Sequence, residues 1–399
     1  MKEECMDNRD KRSPLIVPAV NRETLYCLVG LAALFTLFAS KMGVSHMFGT
    51  MMSTAYSIII DTVLFIMAVA VVTGAFSGLL TEFGVLALIN KLLSPLMKPI
   101  YGLPGAASLG VVSTFLSDSP AMISLGQDPG FIKYFTKRQR ALITNLGTTF
   151  GMGLIVCTFM LGVSTNNHMI AAVFCGLMAS VVASVISVRL MDVFAKRYFK
   201  NSESMCVDPK KEEYDIMTER KIRPGSTGSR IMGALLDGGQ TGVTMGLGIV
   251  APNVIICTFV MMLVRVPPGG EFTGGAMEGI GLIPLIANKL DFIISPLFGF
   301  SSPEAIAFPC TAVGSVGASL GMVKEFLSAG LIGANDIAVF TAMGMTYSGY
   351  LSVHVAMMDA LDSRDLAGKA ILSHTIAGLC AGIMAHWIYV LVSTHIVSI

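Results

Sequence analysis

Apolar residues fill this chain in long blocks separated by brief polar interruptions, without the strict alternation of a half-buried sheet. The blocks at 25–40, centred on "CLVGLAALFTLF", and 62–80, "TVLFIMAVAVVTGAFSGLL", approach the roughly 18 residues that span a bilayer. Carried along the chain, the pattern predicts helices over 25–42, 57–81, 84–98, 104–126, 139–163 and 168–193. A polar stretch follows, then helices over 240–264, 276–297, 303–331, 335–360 and 367–395. Short amphipathic pieces, 46–56 and 231–239, precede the first helix of each half. The segment 84–98 is short and carries Lys91, which suits a half-inserted or interfacial position as well as a crossing. The fold class expected is all-α, a polytopic membrane protein of about 10–11 transmembrane helices.

One apolar block is interrupted by chemistry. In "STFLSDSPAMISLG" (113–126), Ser117-Asp118-Ser119-Pro120 stands about halfway across a predicted span. Proline removes an amide and clashes with the preceding turn, so the helix breaks there, with Ser119 as N-cap and Pro120 at N1. The restarted half-helix points free amides and a positive dipole end inward. Asp118 complements that end or holds a cation or proton. An acidic group near the bilayer centre costs about 2.5–3.5 kcal/mol on insertion scales, which makes it a functional candidate.

Composition agrees with lipid as solvent. The chain has 399 residues, 53% hydrophobic and 13% charged, with mean hydropathy +0.71; soluble domains carry roughly 25% charged residues. The net charge of +1 hides clustering: 1–24 is polar and mixed-charge, and 195–230 is the one long hydrophilic segment. No basic patch with interleaved aromatics occurs, so nucleic acid is not an expected partner. The first apolar block follows a charged N-terminus but is long for a signal peptide, which favours an uncleaved span. Cys5, Cys27, Cys157, Cys175, Cys206, Cys257, Cys310 and Cys380 are scattered without metal-ligand spacing. They and the 27 methionines read as packing residues.

The two halves resemble each other. "GVLALINKLLSPLMKPIYGLPGAAS" (84–108) sits beside "GLIPLIANKLDFIISPLFGFSSPEA" (281–305): Asn90-Lys91-Leu92 answers Asn288-Lys289-Leu290, and Ser94-Pro95-Leu96 answers Ser295-Pro296-Leu297. Small gaps then bring Tyr101-Gly102 onto Phe298-Gly299, 197 positions on, and the same offset sets "TNLGTTFGMG" (144–153) on "TAMGMTYSGY" (341–350). Lys and Arg gather at the N-terminus, in 133–140, in the linker and in 362–369. Placing these in the cytoplasm gives six crossings before the linker and five after it. The organisation expected is a cytoplasmic segment 1–24, an extra transmembrane helix 25–42, a first repeat 46–194, a cytoplasmic linker 195–230 and a second repeat 231–399. With five helices each, the repeats are inverted, in a bacterial inner membrane.

Inverted repeats place solute and ion sites at matched helix interruptions. The offset puts Ser117-Asp118-Ser119-Pro120 on Gly314-Ser315-Val316-Gly317, so Ser117, Asp118, Ser119 and Ser315 are site candidates. Asn145, Thr148 and Thr149 answer Thr346, Tyr347 and Ser348, whose amides and hydroxyls coordinate small cations, hydrogen-bond solutes or hold helices together. Tyr347, Tyr350 and His354 share a helical face, where a lone histidine is more often packed than a proton carrier. In "SSPEA" (301–305), Ser302, Pro303 and Glu304 read as a helix start. Asp61, Glu82 and Glu278 stand near span ends, where solvation accounts for them, and "GGQTG" (238–242) reads as the lining of an entrance.

At the paired "SPL…(Y/F)G" segments the chain resembles the Gate, or nucleoside-recognition, membrane family. That group includes spore-maturation membrane proteins, pore regions of ferrous-iron transporters and part of the concentrative nucleoside transporters. The resemblance covers about 61–165 and 275–395, and implies a helical membrane fold with duplicated gate units and a transport role. No P-loop precedes the first gate. "GQT" at 239–241 is similar to a Gln-Thr-Glu motif of nucleoside transporters, with Gly242 in the acidic position.

The expected function is secondary transport of a small polar solute, nucleoside-like or another metabolite, by alternating access. Na⁺ or H⁺ is the coupling ion expected, with Na⁺ placed near Asp118; no other cofactor is expected, and the sequence names no metal. The alternative is a non-transporting membrane assembly protein. Partners are the lipid bilayer, the solute and, compatibly, further copies of the chain. No enzyme is expected: HExxH is absent, and Gly317-Ala318-Ser319-Leu320-Gly321 matches GxSxG only inside an apolar helix.

Overall fold

The computed structural model describes residues 18–199, 204–206, 216–220, 222–267 and 270–396. Most of the N-terminal segment, with Cys5, and much of the linker lie outside them. Among the described residues every regular element is a helix, apart from one isolated bridge between Thr136 and Met205.

The chain opens with α1 (Arg22–Met42), started by a capping box in which Asn21 accepts from Glu23 and Thr24 amides. After Gly43, α2 (Val44–Ser57) runs through a π-helical segment, Ile58–Val63, into α3 (Leu64–Glu82). The amphipathic piece and the first repeat helix are thus one rod of 39 residues. A second rod of 38 residues joins α11 (Thr227–Gly248) through its own π segment, Asn253–Cys257, to α13 (Thr258–Val264), with the three-residue α12 (Val250–Pro252) between. Asp61 lies in the first π segment, where Ser57 Oγ donates to it at 2.8 Å.

Between the rods come α4 (Val85–Tyr101), α5 (Ala107–Leu116), α6 (Pro120–Gln127), the short α7 (Pro129–Ile132), α8 (Lys137–Phe150), α9 (Gly153–Val163) and α10 (Asn167–Tyr198). After the second rod come α14 (Leu282–Phe298), α15 (Ala307–Ala312), α16 (Val316–Ser328), α17 (Ala334–Thr346), α18 (Leu351–Ala360) and α19 (Ala367–Ile396). Among the described residues six helical stretches are long and apolar enough to cross a membrane, and a seventh qualifies if α14 and the helix after it, bent by 77°, count as one. The chain is a multi-pass, all-α membrane protein.

Element boundaries recur at one offset. Left-handed Gly84 and Gly102 bracket α4, and left-handed Gly281 and Gly299, each 197 positions later, bracket α14. The offset continues from Lys137 of α8 to Ala334 of α17. No gap is needed in α4, so Pro99, not Pro95, answers Pro296. The repeated Asn-Lys-Leu and Ser-Pro-Leu strings are coincidences of composition one and four positions out of register.

Two contacts hold the rods. Along α3 and α11, small residues bring backbone onto backbone: a methyl on Gly74 would lie 2.4 Å from the Gly238 carbonyl oxygen, and one on Gly78 2.2 Å from that of Ala234. At the other end, α2 is tied to the loop before α14. Glu278, 7% exposed, accepts from the amides of Thr273 (3.0 Å) and Gly274 (3.1 Å) and from the hydroxyls of Thr50 and Thr273. Glu82, 5% exposed, is held by Arg230 (2.7 Å) and Arg223 (3.0 Å). Both carboxylates are buried and partnered, correcting the solvated reading of these span ends. A lone buried carboxylate is costly; the donors to Glu82 arrive from distant sequence, whereas Glu278 is held by its own loop and by Thr50.

Candidate functional site

The expected break is present, with different internal chemistry. Helix α5 stops at Leu116, Ser117 leaves helical geometry (φ −125°, ψ −98°), and α6 begins with Pro120 in its first turn. Ser119 is not the N-cap acceptor expected: its backbone is already helical, and its side chain caps nothing. Asp118 Oδ1 instead accepts the Ser119 amide at 2.6 Å, and Ser119 Oγ crosses to donate to the Ser348 carbonyl at 3.1 Å. Ser348 Oγ returns a bond to Asp118 Oδ1 at 3.3 Å. The donors to Asp118 are neutral serine groups.

Ser348 reaches this point because two further helices break. The predicted helices 139–163 and 335–360 are each interrupted: α8 gives way to α9 at Gly151-Met152, and α17 to α18 at 347–350. Met152 (φ 53°) and Gly349 (φ 65°) occupy the left-handed region 197 positions apart. Gly151 makes the convergence possible: a methyl there would lie 2.1 Å from Ser119 Oγ, 2.9 Å from Ser348 Oγ and 3.1 Å from Asp118 Oδ1. Three helix interruptions therefore meet around one carboxylate.

Asp118 opens on a cavity of about 480 Å³. Its other polar groups are Ser117, Ser124, Thr241 and Thr244, and its apolar wall includes Ile66, Met152 and Ile155. A second cavity of about 220 Å³ also has Ser117, Thr241 and Met245 in its wall and follows the α3–α11 glycine seam to Arg223 and Asp237. Gly238, Thr241 and Gly242 of the "GGQTG" stretch line this second cavity, from within α11 and not ahead of it. Thr241 and Thr244 reach the chamber because they lie three apart on one face of α11.

The remaining candidates separate. Ser315 caps α16, accepting the Ala318 amide at 3.3 Å, and stands beside Asn253 Oδ1 at 3.5 Å; it is not among the residues walling the Asp118 cavity. Asn145 and Thr148 belong to a buried network. His354 Nε2 lies 3.2 Å from Asn145 Oδ1, Asn145 Nδ2 donates to Ser187 Oγ (3.0 Å) and the Ala370 carbonyl (3.1 Å), and Ser187 Oγ lies 2.8 Å from His374 Nδ1. Thr148 Oγ1 meets His354 Nδ1 at 3.1 Å, and His374 Nε2 meets the Thr346 carbonyl at 2.5 Å.

Acceptor-only partners fix the direction of this chain of bonds. The Ala370 carbonyl fixes the Asn145 amide, so Asn145 Oδ1 must receive His354 Nε2–H. The Thr346 carbonyl likewise must receive His374 Nε2–H. His374 is then satisfied as a neutral ring, with Ser187 donating to its Nδ1, while the single Thr148 hydroxyl proton is shared between the Thr144 carbonyl at 2.9 Å and His354 Nδ1. The packed reading of His354 holds, with Asn145 and Thr148 as its partners. Thr149 and Thr346 hydroxyls bond carbonyls of their own helices, at 2.9 and 2.8 Å, and Tyr347 donates to the Thr375 carbonyl at 3.1 Å. Ser319 likewise bonds its own helix, through Val316.

Among the described residues no three His, Cys, Asp or Glu side chains gather as a metal site. A monovalent cation or a proton has one carboxylate to address in the large cavity, with serine and threonine oxygens beside it.

No protein-family model and no curated protein matches the chain. It is similar in structure to CNTnw, a concentrative nucleoside transporter. A doubly substituted CNTnw in an outward-facing state shares 15% identity over 82% of this chain and 76% of that one, with a TM-score of 0.52. CNTnw in an inward-facing substrate-bound state shares 13% identity over 81% and 75%, with a TM-score of 0.51. An intermediate state shares 14% over 91% and 84%, at 0.50. At these identities the likeness is one of fold.

Proposed function

We propose that the chain is a secondary transporter moving a small polar solute by alternating access, with Asp118 taking the coupling cation, Na⁺ or H⁺. The observation that carries this reading is the meeting of three interrupted helices at one carboxylate on a 480 Å³ cavity. Interrupted helices expose main-chain dipoles where a membrane otherwise forbids them, and irregular backbone at depth is tolerated where it lines a cavity. The fold shared with a protein known in outward- and inward-facing states supports movement between two arrangements. The correspondence of elements at a 197-residue offset supports two repeats moving against each other.

The deciding experiment is counterflow in proteoliposomes with imposed Na⁺ or pH gradients. Gradient-driven accumulation that disappears in Asp118→Asn is the expected result. No accumulation of any solute under either gradient would favour the assembly-protein alternative.

A further inference from the structure

Resting on the transport reading, the lining of the chamber narrows the solute. We propose that the solute this cavity takes is a small organic cation, an amine or ammonium compound, which alternates at Asp118 with the coupling cation.

The argument begins with charge. Among the described residues walling the 480 Å³ cavity Asp118 is the one ionisable group; the others are serines, threonines, glycines and aliphatic or thioether side chains. Among the described residues no lysine, arginine or histidine lines it, so a carboxylate- or phosphate-bearing solute would meet like charge and no counter-charge. In the adjoining branch Arg223 and Asp237 stand 2.8 Å apart and neutralise each other, which leaves no free positive site for an anion.

Shape and surface chemistry exclude a second class. No aromatic ring lines the chamber, so a planar base has no stacking face. Its walls instead suit an alkyl body: Ile66, Ile155 and Ile249 offer apolar contact, while the Ser117, Ser124, Thr241 and Thr244 hydroxyls accept from N–H groups. A neutral solute would need the coupling cation held at Asp118 beside it in the closed chamber, whereas an organic cation brings the counter-charge itself.

The same constraint dictates alternation. Asp118 is solvated by neutral donors only. If one carboxylate is to cross between arrangements in both directions, it needs a cation on each leg. The organic cation serves one leg and Na⁺ or H⁺ the other, so transport is electroneutral exchange.

The test measures binding before transport. Purified protein is titrated with tetramethylammonium, a series of primary alkylamines, uridine and malate, reading thermal stabilisation. The expected result is stabilisation by one or more amines, weakened as Na⁺ or H⁺ is raised, with apparent affinity falling at least tenfold in Asp118→Asn. The competition on unsubstituted protein decides the matter if Asp118→Asn fails to fold. Binding of uridine or malate without amines, or of none of the probes, overturns the inference, while gradient-driven uptake of another solute would leave the transport reading standing. Amine binding at Asp118 without counterflow would uphold the inference and sink the transport reading.

Discussion

The Ser348 hydroxyl donates to Asp118 Oδ1 at 3.3 Å across 230 positions of chain, joining an interruption in the first half to one in the second. A hydrogen bond to a charged group is worth about 1.5–3 kcal/mol. Ser348→Ala is expected to lower transport efficiency roughly tenfold at unchanged expression, as read in proteoliposome uptake, because it removes a donor from the carboxylate without disturbing the break.

Gly349 carries a stricter demand. At φ 65° an L-residue is strained by about 1–2 kcal/mol, and a methyl would also meet the Ser119 hydroxyl at 3.0 Å. Gly349→Ala should lower the unfolding midpoint in detergent by several degrees. Gly349→Val should yield little folded protein by size-exclusion chromatography.

Asn145 and Thr149 lie one helical turn apart but differ in consequence. Asn145→Ala strands the His354 ring N–H in the interior, at about 1–3 kcal/mol, and also removes a donor from the Ser187 hydroxyl and the Ala370 carbonyl. Thr149→Ala loses a bond to its own helix and should be near neutral. Thermal unfolding of the two variants separates them, and equal effects would remove the network from the account.

Glu278 gives a pH signature. Burial pushes its carboxyl up, but bonds from the Thr273 hydroxyl and from the Thr273, Gly274 and Gly275 amides outweigh this and hold it below the ordinary 4.5. A depressed folded value contributes stability above the unfolded one, lost as pH falls through the folded value. The loop before α14 should therefore loosen from α2 below about pH 4.5, seen as accelerated hydrogen exchange at 270–280. Glu278→Gln should abolish the pH dependence.

The sequence revealed the first break because proline and a mid-span aspartate are both expensive in a membrane helix. The Gly151-Met152 break escaped, since methionine favours helix and glycine is common in transmembrane segments; paired "FGMG" and "YSGY" were its signal. Register in α4 was misread because identical tripeptides outweighed the glycines that set its ends. Asn145 and Thr148 looked like ligands because their partners, His354, Ser187 and His374, come from other helices that no local pattern places beside them. Ser315 fell at the right position of its own break, but which wall a break faces depends on tertiary packing.

The glycine seam between α3 and α11 sets an order in time. Gly74 and Gly78 emerge from synthesis long before Ala234 and Gly238, so the first half must enter the bilayer with a strip of bare backbone facing lipid. That strip can be covered only when residues beyond 227 arrive. A ribosome pausing in the linker would hold the molecule at its most vulnerable moment, open to proteases and to mispairing with any other small-faced helix.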